Sequence, residues 1–256
     1  MKPIKTMRSL LIISALFVLL TSCEEEDKTI NNPAPDPENA LMQLSTIYDG
    51  MRLHPDSVMT NNLGLDFHID ETVIVFSNFF FREDGDTSVF RGEPFLLTSS
   101  KPTNRIVRFP AGAYSGVYGL RMGLDSMASA NVIVNGLPSD SELRDASVLR
   151  QDGLGIDHLI IRGRLLDPFS PPDSAGFIPL NYRVGLTEMS RTYSSLQKNF
   201  SIQGDNPVSL VIRLDLEPIF NDLDMFARPE VTTDPQNLVD FNLAREMADS
   251  VEVELF

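Results

Sequence analysis

The chain contains few of the residues on which many enzyme and metal sites depend. Among its 256 residues there are no tryptophans, one cysteine and three histidines. A single cysteine cannot form a disulfide within the chain, and the lack of tryptophan excludes redox chemistry at a modified tryptophan. The histidines, His54, His68 and His158, do not form a spaced cluster of the kind that converges on a transition metal.

Motifs of the common enzyme classes are also missing. The sequence has no G-x-S-x-G elbow of a serine hydrolase, and its glycines between 112 and 123 lack the G-x-G-x-x-G spacing of a dinucleotide loop. Asp84-Gly85-Asp86 lacks the remaining ligands of a calcium loop and is typical of a hairpin turn. We therefore predict that the protein is not an enzyme. A hydrolase whose site the sequence does not reveal is an alternative.

The N-terminus has the parts of a bacterial lipoprotein signal. Three basic residues precede an apolar run of 11 residues, Leu10 to Leu20, which is too short for a membrane span of roughly 20 residues. Leu20-Thr21-Ser22-Cys23 resembles a lipobox, in which the cysteine is acylated and the chain is cut before it. We predict a signal peptide over 1–22 and a lipid on Cys23 that anchors the protein in the outer membrane or at the cell surface. The alternative is an ordinary signal peptide followed by a chance cysteine.

The segment after Cys23 is acidic and rich in proline. Residues 23–40 have the composition of a disordered, solvated tether, and the acidic start resembles the export signal of Bacteroidetes surface lipoproteins. A merely charged linker is the alternative. The formal net charge is −15, and it would be −18 from Cys23 onward because the signal carries three basic and no acidic residues. Such a surface repels nucleic acid, so we predict no nucleic-acid partner.

From residue 41 onward the pattern is mostly that of β-strands. Residues 158–166 and 208–216 alternate between apolar and polar side chains, whereas 72–81 are nearly continuously β-branched or aromatic, which favours a strand covered on both faces. Further strands are predicted at 41–48, 63–69, 95–99, 104–109, 116–124 and 177–186, with breaks at 83–86, 110–116 and 167–176. We predict one domain over 41–256 that is mainly β, an antiparallel β-sandwich or distorted barrel with a short C-terminal helix.

Two stretches predict helices. Residues 139–150 could hold one short helix. The C-terminal stretch is more strongly patterned, because Asp234 can cap and Pro235 suits the first helical position. The apolar face predicted for this helix contains Leu238, Phe241, Met247, Ala248 and Val251.

Several stretches together resemble one known family. RFPAGAYSGVYGLRMGLDS (108–126) resembles a Pro-Ala-Gly turn, a Tyr/Gly strand and a Gly-x-Asp-Ser ending. TVIVFSNFFF (72–81), with Ser77-Asn78, resembles a tyrosine-rich strand followed by Ser-Asn. Five other stretches also resemble motifs of this family, and all the motifs occur along the chain in the family's order. These stretches are LSTIYDGMRL (44–53), GIDHLIIRGRL (155–165), NYRVG (181–185), VSLVIRLDLEPIF (208–220) and the VEVELF ending. On these motifs, residues 41–256 resemble the MbnP-like family of secreted copper-binding proteins, many of them lipoproteins.

The resemblance implies a metal-handling β-domain, with copper as the cofactor and a di-haem protein as a partner. It also implies histidines near Thr46 and at Arg183, and a Met-x-Trp-x-Trp stretch near Val148 to Asp152. This chain has neither of those histidines and no tryptophan.

Among the three histidines, His68 is the best candidate metal ligand. It lies in LDFHIDE, where Asp66 and Asp70 share its strand face by their spacing of two residues. The first functional hypothesis is therefore an MbnP-like, lipid-anchored binding protein that handles copper. The alternative is a surface module that recognises a protein or a glycan without a metal.

Overall fold

The computed structural model describes residues 40–256 except 55, 84–85, 92–93, 101–104, 108–111, 125, 138–140, 145–147, 151, 168, 171–175, 203–207 and 256. The signal peptide (1–22), Cys23 and the tether (23–40, apart from Ala40) lie outside the described residues and stay predictions. In the part of the chain that is described, no helix combines the length and the apolar character that a membrane crossing requires.

The smaller of two β-sheets begins with the first described residues. It contains β1 (Ala40–Tyr48), β2 (Met51–Arg52), β7 (Arg105–Val107), β13 (Val208–Asp215) and β15 (Glu252–Leu255). The strand order is β15–β13–β1–β2, and β7 also pairs with β1. β1 runs parallel to β13, and the other pairs are antiparallel. Asp49 and Gly50 join β1 to β2 with φ angles of 49° and 68°, as a two-residue type I′ hairpin requires.

The larger sheet is built around one long strand, β4. The sheet contains β3 (Met59–Thr60), β4 (Asp66–Glu83), β5 (Asp86–Arg91), β6 (Phe95–Thr98), β8 (Gly112–Met122), β9 (Asp157–Leu166), β10 (Phe177–Gly185), β11 (Arg191–Ser194), β12 (Lys198–Ile202) and β14 (Glu230–Thr232). Its central order is β11–β8–β4–β9–β10–β14, with β3, β5 and β6 also on β4 and β12 also on β8. β10 and β14 are parallel.

The predicted fold class is confirmed, because the domain is mainly β with curled sheets and a C-terminal helix. The main core draws apolar side chains from both sheets, including Met42 and Ile212 of the smaller sheet and Phe67 and Tyr182 of the larger one. The strands predicted at 158–166, 177–186 and 208–216 match β9, β10 and β13 to within a residue.

Central strand β4 is covered on both faces, as its continuous apolar run predicts. Ile74 and Phe76 belong to the main core, whereas Val73 and Val75 belong to a second, smaller core. The chain between β8 and β9, residues 124–156, supplies Leu124, Leu143, Val148 and Ile156 of that second core, and β9 adds Ile160. We call this stretch the cover segment.

Some boundaries differ from those predicted. The strands expected at 63–69 and 72–81 are one strand, β4, with a register shift between Ile69 and Glu71 against β9. The break expected at 110–116 was wrong from Gly112 onward, because β8 already begins there. Glu83 pairs with Asp86 across the predicted hairpin, while Asp84 and Gly85 lie outside the described residues.

The helices are α1 (Ser126–Asn135), α2 (Glu217–Phe220) and α3 (Leu238–Ser250), with 3-10 turns at Glu142–Arg144 and Thr187–Met189. The short helix predicted within 139–150 is a 3-10 turn of three residues over the part of that stretch that the structure describes, and the α-helix described in the cover segment is α1.

The predicted C-terminal helix is confirmed as α3, but it begins later than expected. Asn237 is its N-cap and accepts hydrogen bonds from the backbone N–H groups of Val239 and Asp240. Met247 and Ala248 are buried as predicted, whereas Leu238 is 68% exposed and does not belong to the buried face.

Candidate functional site

The outer face of the larger sheet is half covered and half open. Val73 and Ile160 lie opposite each other on β4 and β9 under the cover segment. Two residues further along, Glu71 lies opposite Arg162, and a step of two residues keeps side chains on the same face of a sheet. The face therefore continues beyond the second core as a row of charged and aromatic side chains. We call this row, Asp70, Glu71, Arg162, Arg164 and Phe177, the open face.

A charged pair next to an aromatic ring forms the centre of the open face. The guanidinium of Arg164 donates from Nε to both oxygens of Asp70 at 3.1 Å and from Nη2 to Oδ1 at 2.9 Å. Its Cζ lies 5.1 Å from the ring centroid of Phe177, within the range of a cation–π contact. Asp70 and Arg164 are about two-fifths exposed (39% and 40%), so ligands can reach both.

The second pair of the open face is part of a hydrogen-bond cluster. Arg162 forms a salt bridge with Glu71. The Oε1 atom of Glu71 accepts hydrogen bonds from the hydroxyls of Thr98 at 3.1 Å and Ser100 at 2.9 Å. The open face is thus polar and is locally balanced in charge, although the whole chain is strongly acidic.

A β-bulge explains why two consecutive acidic residues reach the same face. Ile69 pairs with Gly163 and Glu71 pairs with Arg162, which leaves Asp70 as an extra residue on β4. A bulge bends the strand and re-aims the side chain of the extra residue. Both Asp70 and Glu71 can therefore bond to arginines of β9.

The structure gives two of the three predicted metal residues other partners. His68 packs edge-on against Phe177 with 6.2 Å between ring centroids, and its buried Nδ1 has no hydrogen-bond partner in the described part of the protein. Asp66 accepts a hydrogen bond of 2.6 Å from the Thr60 hydroxyl. Asp70 is held by Arg164. The His68, Asp66 and Asp70 site stays a prediction.

Two of the stretches for which the resemblance implies family residues meet in space: the implied histidine position Arg183 and the implied Met-x-Trp-x-Trp stretch. Arg183 and Arg150, which lies within Val148–Asp152, both bond to the carboxylate of Asp157. Guanidinium groups are donors without a lone pair to offer a cation. These residues therefore do not fit a copper ion. Over the described residues, no group of three or more His, Cys, Asp or Glu side chains is placed to hold a metal.

The Arg150–Asp157–Arg183 network is buried and nearly fully bonded. Arg150 donates to Asp157 Oδ1 at 3.0 Å and to the Thr233 carbonyl at 2.6 Å, and it forms a salt bridge with Asp152. Arg183 donates from Nε to Asp157 Oδ2 at 2.7 Å. The hydrogen bond from Arg150 lowers the pKa of Asp152, whereas burial raises the pKa of Asp157 against the opposing pull of Arg183 and Arg150.

His158 lies next to this network and has little freedom. Its ring is 1% exposed, Nε2 accepts a long hydrogen bond of 3.4 Å from the Leu124 N–H, and Nδ1 has no partner among the described residues. Burial, with the charges of Arg150 and Arg121, lowers the pKa of His158 to about 3. The imidazole is therefore neutral at physiological pH. Gly123, with φ of 81°, packs against the ring so closely that a Cβ atom would clash with Nδ1.

The sequence patterns identified some of these residues and missed others. The alternation in 158–166 places Arg162 and Arg164 on one face, but their partners depend on the register with β4 and on the bulge. Arg150 was missed, because nothing local in the sequence brings it to Asp157 or to Arg183 of β10.

Comparison with solved structures finds a distant likeness of fold. MbnP from Methylosinus trichosporium is 12% identical in sequence and superposes with a TM-score of 0.45, over 77% of this chain and 81% of MbnP. No family model matches the chain, and no curated protein matches it. The likeness concerns the fold and says nothing of a ligand or an anchor in this chain.

Proposed function

We propose that this protein is a lipid-anchored, extracytoplasmic binding protein that recognises a glycan through the open face of its larger sheet. The lipid on Cys23 holds the domain at the outer membrane or cell surface, and the acidic tether separates the domain from the bilayer. The proposal assigns binding rather than catalysis to the domain. The observation that carries it is the Arg164–Asp70 pair that lies against Phe177 at half-exposed positions.

The chemistry of the open face suits a polyhydroxylated ligand. An aromatic ring offers an apolar surface to the C–H face of a sugar. The paired carboxylates and guanidiniums of Asp70, Glu71, Arg162 and Arg164 offer acceptors and donors to its hydroxyls. Because these charges cancel in pairs, the ligand need not carry a charge of its own.

A glycan fits this surface better than a protein partner does. Stable protein interfaces bury about 800 Å² on each side and have an apolar centre. The open face offers one half-exposed aromatic ring, Phe177, within a polar row. If no glycan binds, a protein partner is therefore the ligand that this result would favour.

A glycan array tests the proposal. We expect the wild-type protein to bind a defined set of glycans and Phe177→Ala to lose that binding. The matched control is Leu196→Ala, which removes another exposed apolar side chain, 84% exposed, from the loop between β11 and β12. Absence of any binding, or equal loss in both variants, would reject the open face as the recognition surface.

A second candidate function, copper handling at His68, has its own supporting observation: the buried Nδ1 of that histidine has no hydrogen-bond partner among the described residues. An imidazole nitrogen is a suitable copper ligand, with Asp66 and Asp70 as its nearest candidate co-ligands. Titration with Cu(I) and Cu(II), with His68→Ala as the variant, tests it. Binding tighter than about 10 µM that His68→Ala removes would support this candidate, and unchanged binding in the variant would reject the site.

A further inference from the structure

A small polar cavity lies where the two sheets meet, beside the open face. It measures about 40 Å³, and its polar lining consists of Thr46 of β1, Arg52 of β2, His54, Asp70 of β4 and Ser99. A cavity needs about 10–15 Å³ to hold one water molecule, so this cavity has room for roughly three water-sized groups. Asp70 belongs both to this lining and to the open face.

Hydrogen-bond donors dominate the lining. Thr46 is 4% exposed, and its hydroxyl has no partner among the described residues. The Ser99 hydroxyl oxygen accepts the backbone N–H of Thr72 at 2.8 Å, which leaves its own proton to donate. Arg52 adds a guanidinium, and none of the ion pairs within the described part of the chain involves it.

The one carboxylate in the lining is already neutralised. Both oxygens of Asp70 accept hydrogen bonds from the Arg164 guanidinium. The remaining charge at the cavity is therefore the positive charge of Arg52. Donors and a cation around a space of this size favour a small anionic group, because charge-assisted hydrogen bonds are the strong ones.

We propose that this cavity binds a carboxylate, with Arg52 supplying the charge and Thr46 and Ser99 donating hydrogen bonds. The proposal rests on the proposed glycan recognition and makes it more specific. Since Asp70 and Arg164 connect the cavity to Phe177, a sugar acid would place its carboxylate in the cavity and its ring toward the open face. The ligand class is then an acidic glycan that contains a uronic acid.

An NMR titration of the full-length protein in detergent micelles tests the carboxylate site. Sodium acetate is titrated against sodium chloride at equal ionic strength, and the methyl signal of Thr46 is followed. We expect a saturable shift with acetate and not with chloride. Arg52→Gln should weaken acetate binding by about tenfold or more, since it removes a charge-assisted contact. The matched control, Arg82→Gln, changes an exposed arginine near the far end of β4 and should leave acetate binding within about twofold.

Two results would overturn the carboxylate site: an equal response of Thr46 to acetate and chloride, or equal effects of Arg52→Gln and Arg82→Gln.

A glucuronate titration then identifies the source of the carboxylate. Tighter binding of glucuronate than of acetate supports the sugar acid, and equal affinity overturns it in favour of a free carboxylate. Glycan binding without an acetate site would leave the proposed function standing and reject this inference. Acetate binding without glycan binding would reject the proposed function and leave the cavity site standing.

Discussion

The two halves of the larger sheet's outer face contain the same ion-pair chemistry in opposite surroundings. Under the cover segment, Asp157 is 1% exposed and bonds two arginines. On the open half, Asp70 is 39% exposed and bonds one. Breaking a buried ion pair leaves an uncompensated charge away from water, whereas an exposed pair contributes little to stability. Removing one partner should therefore destabilise the fold much more in the covered half than in the open half, and the charged groups of the open half are accessible to a ligand.

The largest expected effect comes from the buried carboxylate. Asp157→Asn should lower the free energy of unfolding by about 3–5 kcal/mol, since Arg150 and Arg183 lose their counter-charge in a buried site. The matched change on the open half, Asp70→Asn, should cost about 0–1 kcal/mol. Urea denaturation of both variants measures the difference. Equal losses would break the comparison between the two halves.

A smaller effect is expected where the cover segment begins. Gly123→Ala introduces a Cβ atom at positive φ and against the ring of His158, and we expect a loss of about 2–3 kcal/mol. Gly50→Ala also has positive φ, but open space surrounds its Cβ position, so about 1 kcal/mol is expected. Thermal unfolding of the two variants separates the clash from the backbone strain. A loss in Gly123→Ala no larger than in Gly50→Ala would show that the packing on His158 is loose.

His158 makes the covered half sensitive to acid. Its pKa is about 3 in the folded protein against about 6.5 in an unfolded chain, so between these values the unfolded state binds more protons. The stability linked to His158 is complete above pH 6.5 and decreases as the pH falls toward 3, by about 2 kcal/mol between pH 7 and pH 5.

His158→Gln should remove most of this acid sensitivity while it keeps an acceptor for the Leu124 N–H. His54→Gln, which replaces an exposed histidine, is the control. Urea denaturation at pH 5, 6 and 7 compares the two variants with the wild type. An unchanged pH dependence in His158→Gln would assign the effect to other groups.

The sequence pattern predicts the sheets better than the site, for a physical reason. Alternation and β-branched runs identify individual strands, because burial acts on each side chain separately. The bulge at Asp70 depends on pairing with β9, and pairing is non-local. Helix α1 was missed because SMASANVIVN has a weak apolar face, and among its described side chains Val132 is the one that packs against the second core.

The candidate site likewise depends on strand pairing, which the local sequence pattern does not show. The residue types in DFHIDE and IIRGRL are visible in the sequence, whereas the bond between Asp70 and Arg164 requires the register. The implied copper positions show that a stretch can resemble a family motif without containing the side chain that binds the family's metal. Arg183 lies in a stretch that resembles the family, but its own chemistry is that of an ion-pair donor.

The most direct test of the central claim is glycan binding in the presence of a chelator. We predict that the wild-type protein binds its array-selected glycan unchanged in excess EDTA. We also predict that Arg164→Ala loses this binding while its melting temperature shifts by no more than a few degrees. Two results would contradict the account: loss of glycan binding in EDTA, or full glycan binding by Arg164→Ala. Either would return the assignment to a metal site at His68.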